Sequence, residues 1–108
     1  MKSSEKLCWV YMTAGSVEEA KSIGQILVGQ NLAACVNLFE NMTSIYKWEE
    51  KLEESQEVIM IAKTRKTLMP KLIETVNTLH SYDCPCILEL PIQGGNPDFL
   101  SWIKSQTA

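Results

Sequence analysis

Histidine occurs once in this 108-residue chain, as His80, and cysteine four times. Borderline and soft transition metals are held by imidazole and thiolate, so the groups available for such chemistry are few. No apolar run is long enough to cross a bilayer, and no membrane association is expected. Positive charge is not massed either: 10 Lys and Arg stand against 13 Asp and Glu, for a formal net charge of −3. The densest basic cluster (Lys63, Arg65, Lys66, Lys71) is interrupted by threonines and apolar residues. Nucleic-acid binding calls for a basic face, so no nucleic-acid partner is expected. The polar stretch from Met1 to Lys6 runs into a strand-like segment without a small-residue cleavage site. It is unlike a secretory signal, and the cysteines are therefore read as reduced thiols of a cytoplasmic protein. Linkers, low-complexity tracts and repeats are also missing, which leaves one domain over 1–108 with its core at roughly 7–104. No nucleophile–base pair, phosphate loop or carboxylate pair can be nominated, so the chain is not read as an enzyme.

What is present is a regular alternation of elements. Apolar content of 45% is that of a folded globular domain. Leu7 to Thr13 is apolar and β-rich, as in a buried central strand. Ser16-Val17-Glu18-Glu19 forms a capping box, after which Ala20, Ile23, Gly24, Leu27 and Val28 recur on one helical face. Gly29 and Asn31 supply the stop. Leu32 to Phe39 is a second strand, Glu40-Asn41 a turn, and Met42 to Trp48 a further strand. The charged stretch Glu49 to Glu57 reads as a solvated hairpin tip, and Val58 to Thr64 as another buried strand. Thr67 is expected to cap a second helix with Pro70 in its first turn. Cys86 to Pro91 is a last core strand, and Asn96-Pro97 opens a C-terminal helix anchored by Phe99, Leu100, Trp102 and Ile103. The order β-α-β-β-α-β plus a terminal helix is that of an α+β, ferredoxin-like split β-α-β sandwich with an extended hairpin. Its open sheet has edges and an uncovered face, which such domains commonly hide by oligomerising.

His80 and half of the cysteines fall within the segment Leu79-His80-Ser81-Tyr82-Asp83-Cys84-Pro85-Cys86, at a helix-to-strand junction. His80 is either a ligand or a helix-end imidazole bonding last-turn carbonyls. Cys84 and Cys86 share one side of an extended segment, as a soft metal pair, a redox pair or simple packing. Cys35 and Cys8 read as small hydrophobes, since a reactive thiol needs a base and an electropositive setting. Tyr46, Trp48 and Glu49 on the hairpin suit a subunit interface. Lys63 is expected to meet Glu89 or Glu57 across strands.

Leu32-Ala33-Ala34-Cys35-Val36-Asn37, Ser44-Ile45-Tyr46-Lys47-Trp48-Glu49, Lys63-Thr64, Leu79-His80-Ser81-Tyr82, Leu90-Pro91-Ile92 and Phe99-Leu100-Ser101-Trp102 stand in that order along the chain. In this order they resemble the CutA family of divalent-ion tolerance proteins, over Val10 to Ile103. The resemblance implies a ferredoxin-like fold assembled as a homotrimer, and a role in divalent-cation tolerance, copper especially. The implied copper site uses a first-strand position and two adjacent residues before the Tyr, which here are Met12, Leu79 and His80. Metal candidates are thus His80, Cys84, Cys86 and Met12, with copper or zinc as the ion. Interface or cleft candidates are Tyr46, Trp48, Glu49, Lys63, Tyr82 and Trp102. A rival expectation is a trimeric signalling or anchoring protein that binds a small molecule or protein at intersubunit clefts, without a physiological metal.

Overall fold

A computed structural model describes residues 5–108. Strand β1 (Leu7–Ala14) leads into helix α1 (Val17–Gly29), followed by β2 (Cys35–Trp48), β3 (Lys51–Arg65), helix α2 (Met69–Leu79), β4 (Ile87–Ile92) and helix α3 (Pro97–Gln106). The strands form one antiparallel sheet in the order β2-β3-β1-β4. This is the arrangement that two interleaved β-α-β units produce.

Strand alternation decides which residues face the helices. Cys8, Val10 and Met12 of β1 and Val58, Met60 and Ala62 of β3 point to one side and are buried. Helix α1 covers them with Ala20, Ile23 and Leu27, and α2 with Met69, Leu72 and Val76. The opposite side carries Trp9, Tyr11, Ile59, Ile61, Lys63, Leu88 and Leu90, which are in register across the sheet and partly or largely exposed. Helix α3 returns to cover one end of that side, where Ile103 and Leu100 pack on Leu7 and Ile92. Arg65 fixes α3 in place by donating to the Lys104 carbonyl at 2.6 Å and to Thr107 Oγ1 at 3.0 Å, and it pairs with Glu5.

Several boundaries differ from the sequence expectation. The Ser16 hydroxyl accepts from the Glu19 amide at 3.1 Å, as a capping box requires, but the Glu19 carboxylate reaches Gly15 rather than Ser16. Asn31, with φ 62°, supplies the left-handed stop of α1, whereas Gly29 has no such conformation. The second strand begins at Cys35 rather than Leu32. Thr67 is not a cap. Lys66–Leu68 form a single 3-10 turn, and the Met69 amide bonds the Lys66 carbonyl, so α2 starts without a side-chain cap.

The largest correction concerns the hairpin. Glu49 to Glu57 is not a loose tip: the pairing of β2 with β3 runs out to Trp48 opposite Lys51. Glu49 and Glu50 alone make the turn, at φ 51° and 67°, as a two-residue connection twisted with its strands demands. Nor does Glu40-Asn41 end a strand. These two residues stand against Val58 alone, between the pairs Phe39–Ile59 and Met42–Glu57, and Asn41 has φ 64°. This is a β-bulge within one continuous strand.

Candidate functional site

The helix-to-strand junction is built around His80. Its side chain is 1% exposed. Nε2 lies 2.8 Å from the Thr13 carbonyl, which can only accept, so Nε2 carries the ring proton. Nδ1 then accepts from the Tyr82 amide at 3.0 Å. A neutral imidazole has one donor and one acceptor, and both are used within the chain. The helix-end expectation of bonds to last-turn carbonyls is not met, because the ring reaches to the end of β1 instead.

Glu19 sits beside this ring, with Oε2 3.6 Å from Nδ1 and 2.7 Å from the Ser81 amide. Partial burial works against its charge, but the Ser81 and Gly15 amides outweigh it and hold the carboxyl below the usual range. Tyr82 stacks obliquely on His80, ring centroids 4.6 Å apart, and donates its hydroxyl to Glu57 Oε2 at 2.8 Å. Burial and then the Glu57 carboxylate push the Tyr82 hydroxyl up to about 12. Gly15 is needed for this packing, since a Cβ there would lie 3.2 Å from the Tyr82 hydroxyl. The second Glu57 oxygen accepts from Ser44 at 2.5 Å, which ties the junction to the hairpin.

The other metal candidates are placed apart in character. Met12 is fully buried on the helix-facing side, paired with Met60 and Ile87. Cys84 is exposed and Cys86 half-buried; burial, reinforced by Glu57, raises the Cys86 thiol. Among the described residues, no three His, Cys, Asp or Glu side chains are grouped so as to hold a metal ion. Cys8 is buried in the core, and burial pushes its thiol up to about 11.

A second region lies on the open side of the sheet. Lys63 does not meet Glu89, which pairs with Lys66, or Glu57. Its Nζ donates to Asn37 Oδ1, lies 3.5 Å from Cys35 Sγ and sits 5.9 Å from the centre of the Trp9 ring. Cys35 is therefore a half-buried thiol beside an ammonium, not a core hydrophobe. Its chain neighbours give no hint of this, because the cation arrives from directly across the sheet. Trp9, 42% exposed, was not singled out from the sequence; its place between Lys63 and Leu90 follows from strand register alone. Tyr46 bonds Ser55 at 3.3 Å, while Trp48 and Glu49 stay exposed near the tip. Trp102 packs against Phe99 on α3, with ring centroids 5.4 Å apart.

The model of the CutA1 divalent ion tolerance protein family matches residues 8–106. The chain belongs to that family. Among relatives, it is 43% identical to the divalent-cation tolerance protein CutA of Thermus thermophilus over 98 residues, 91% of this chain and 95% of that protein. It is 41% identical to the chloroplastic Protein CutA of Arabidopsis thaliana over 98 residues, 91% of this chain and 54% of that protein. It thus spans about half the length of some curated relatives it matches. The crystal structure of CutA1 from Oryza sativa superposes with a TM-score of 0.95 at 37% identity, covering 97% of this chain and 96% of that one. The ferredoxin-like α+β architecture read from the motifs is thus the architecture of the family. Among the described residues, no helix is long and apolar enough to cross a membrane.

Proposed function

We propose that this family member serves divalent-cation tolerance, copper in particular, as a cytoplasmic homotrimer without catalytic activity, and that it works through the clefts between its subunits. The observation that carries this is the bare side of the sheet. Phe39, Trp9, Leu88 and Leu90 are 54%, 42%, 58% and 44% exposed, and monomeric proteins seldom leave so continuous an apolar surface in water. Copies of the chain meeting there bury it, and the ring of Lys63 and its neighbours then lies at the margin of the contact. Tyr46, Trp48, Glu49, Tyr82 and Trp102 are further contributors to the interface or its clefts.

Direct binding of copper or zinc is the second reading. It is favoured by the exposed thiol of Cys84 two residues from Cys86, at the junction that also holds His80 and, in the core beneath, Met12. Both nitrogens of His80 are engaged, so on this reading the thiols lead. Native mass spectrometry of the reduced protein, with and without Cu(I) and Zn(II), separates the two. A trimer without stoichiometric metal is expected. A monomer overturns the assembly, and one metal per subunit, lost in Cys84→Ser/Cys86→Ser, moves the function to the thiols.

A further inference from the structure

We infer that the cavity beside Lys63 is a binding site for a small carboxylate with a flat apolar body, such as an aromatic acid. This rests on the cleft reading above and names what the cleft would take. The cavity measures about 380 Å³ and lies between the open side of the sheet and α3. Its walls are Trp9, Ile92, Phe99, Leu100 and Ile103, and its rim is the turn Gly94-Gly95-Asn96. Small-molecule sites of this kind are largely apolar, with a few polar groups that fix orientation.

Lys63 is the only charged side chain lining the cavity. Among the described residues no carboxylate pairs with its Nζ within 4.0 Å. The ammonium is held instead by three neutral groups: the Asn37 amide oxygen, the Cys35 sulfur and the face of Trp9. A half-buried cation aimed by neutral partners at an apolar hollow is electrostatically unbalanced, and an anion balances it. A bare inorganic anion would leave the aromatic walls unfilled, whereas an aromatic acid satisfies both. The rim also carries the N-terminus of α3, where Asn96 caps the Asp98 amide at 3.1 Å. That end of the helix adds partial positive charge on the same side. Asp98 itself does not line the cavity.

The test uses the full chain, with its oligomeric state fixed first by sedimentation. Benzoate is titrated against benzamide, a neutral probe of the same shape, with amide shifts at Gly94, Gly95 and Lys63 and tryptophan fluorescence as readouts. Benzoate is expected to saturate the shifts at the rim and to bind about tenfold more tightly than benzamide, as a charge-assisted contact should. Lys63→Met is expected to remove that preference and Lys63→Arg to retain it. Equal binding of the two probes, an unchanged Lys63→Met, or no shift in a protein that sediments as a trimer overturns the site. A monomer that still prefers benzoate supports the site while removing the cleft reading.

Discussion

At the scale of single residues, His80 shows how a chemically versatile side chain is committed to structure. Its ring joins the end of α2 to the end of β1 through Nε2, and holds the following segment through the Tyr82 amide. Replacing it by phenylalanine keeps the volume but leaves the Thr13 carbonyl and the Tyr82 amide without partners. Each buried unpaired group costs about 1–3 kcal/mol. His80→Phe is therefore expected to lower unfolding stability by about 2–4 kcal/mol in urea titrations, with glutamine less damaging because it can still donate and accept. The sequence marks His80 as notable because it is alone, but its partners are 67 residues away or in the main chain, where spacing carries no signal. Lys63 illustrates the same limit. Its position at the end of a core strand was legible, whereas its choice of Asn37 over a glutamate depends on strand register.

Among the elements, the hairpin of β2 and β3 is where composition misled. Glu53 and Glu54 look like a solvated loop because both are charged and no apolar face accompanies them. Yet they pair with Tyr46 and Ile45 on a ribbon whose two faces are both exposed, so hydrophobic alternation has nothing to record. The helices were easier, since each has one buried stripe and a recognisable beginning in Ser16 or Asn96. The turn itself is costly: Glu49 and Glu50 both occupy left-handed conformations that side chains with a Cβ disfavour by roughly 1–2 kcal/mol each. Glu50→Gly is expected to raise stability by about 1 kcal/mol, net of the added freedom of the unfolded chain. Thermal unfolding of the variant beside the parent measures this, and a loss of stability would mean that the turn is held by something other than its own backbone.

The whole molecule is drawn out by that hairpin, to 52 × 25 × 23 Å with a radius of gyration of 14.9 Å. A compact domain of this length has a radius near 13 Å. A chain that extends an arm and leaves one side of its sheet bare is shaped for contact with copies of itself. Mass action then makes apparent stability rise with protein concentration. Leu88→Asp should abolish that rise while changing the isolated chain by no more than about 0.5 kcal/mol, because the side chain is exposed there. Melting temperatures at several dilutions check this, and a parent melting temperature that is flat with concentration would contradict it. The bulge at Glu40-Asn41 has a bearing on the same contact. Odd residues of β2 up to Phe39 lie on the open side, opposite Ile59, Ile61 and Lys63; beyond the bulge the even residues do, opposite Glu57, Ser55, Glu53 and Lys51. One inserted residue thus works like a change of phase between two otherwise identical gratings. It brings Tyr46 and Trp48, rather than Ile45 and Lys47, onto the side that carries Trp9, so shortening the chain there by one residue would turn the arm's aromatic face away from its neighbour without touching any aromatic residue.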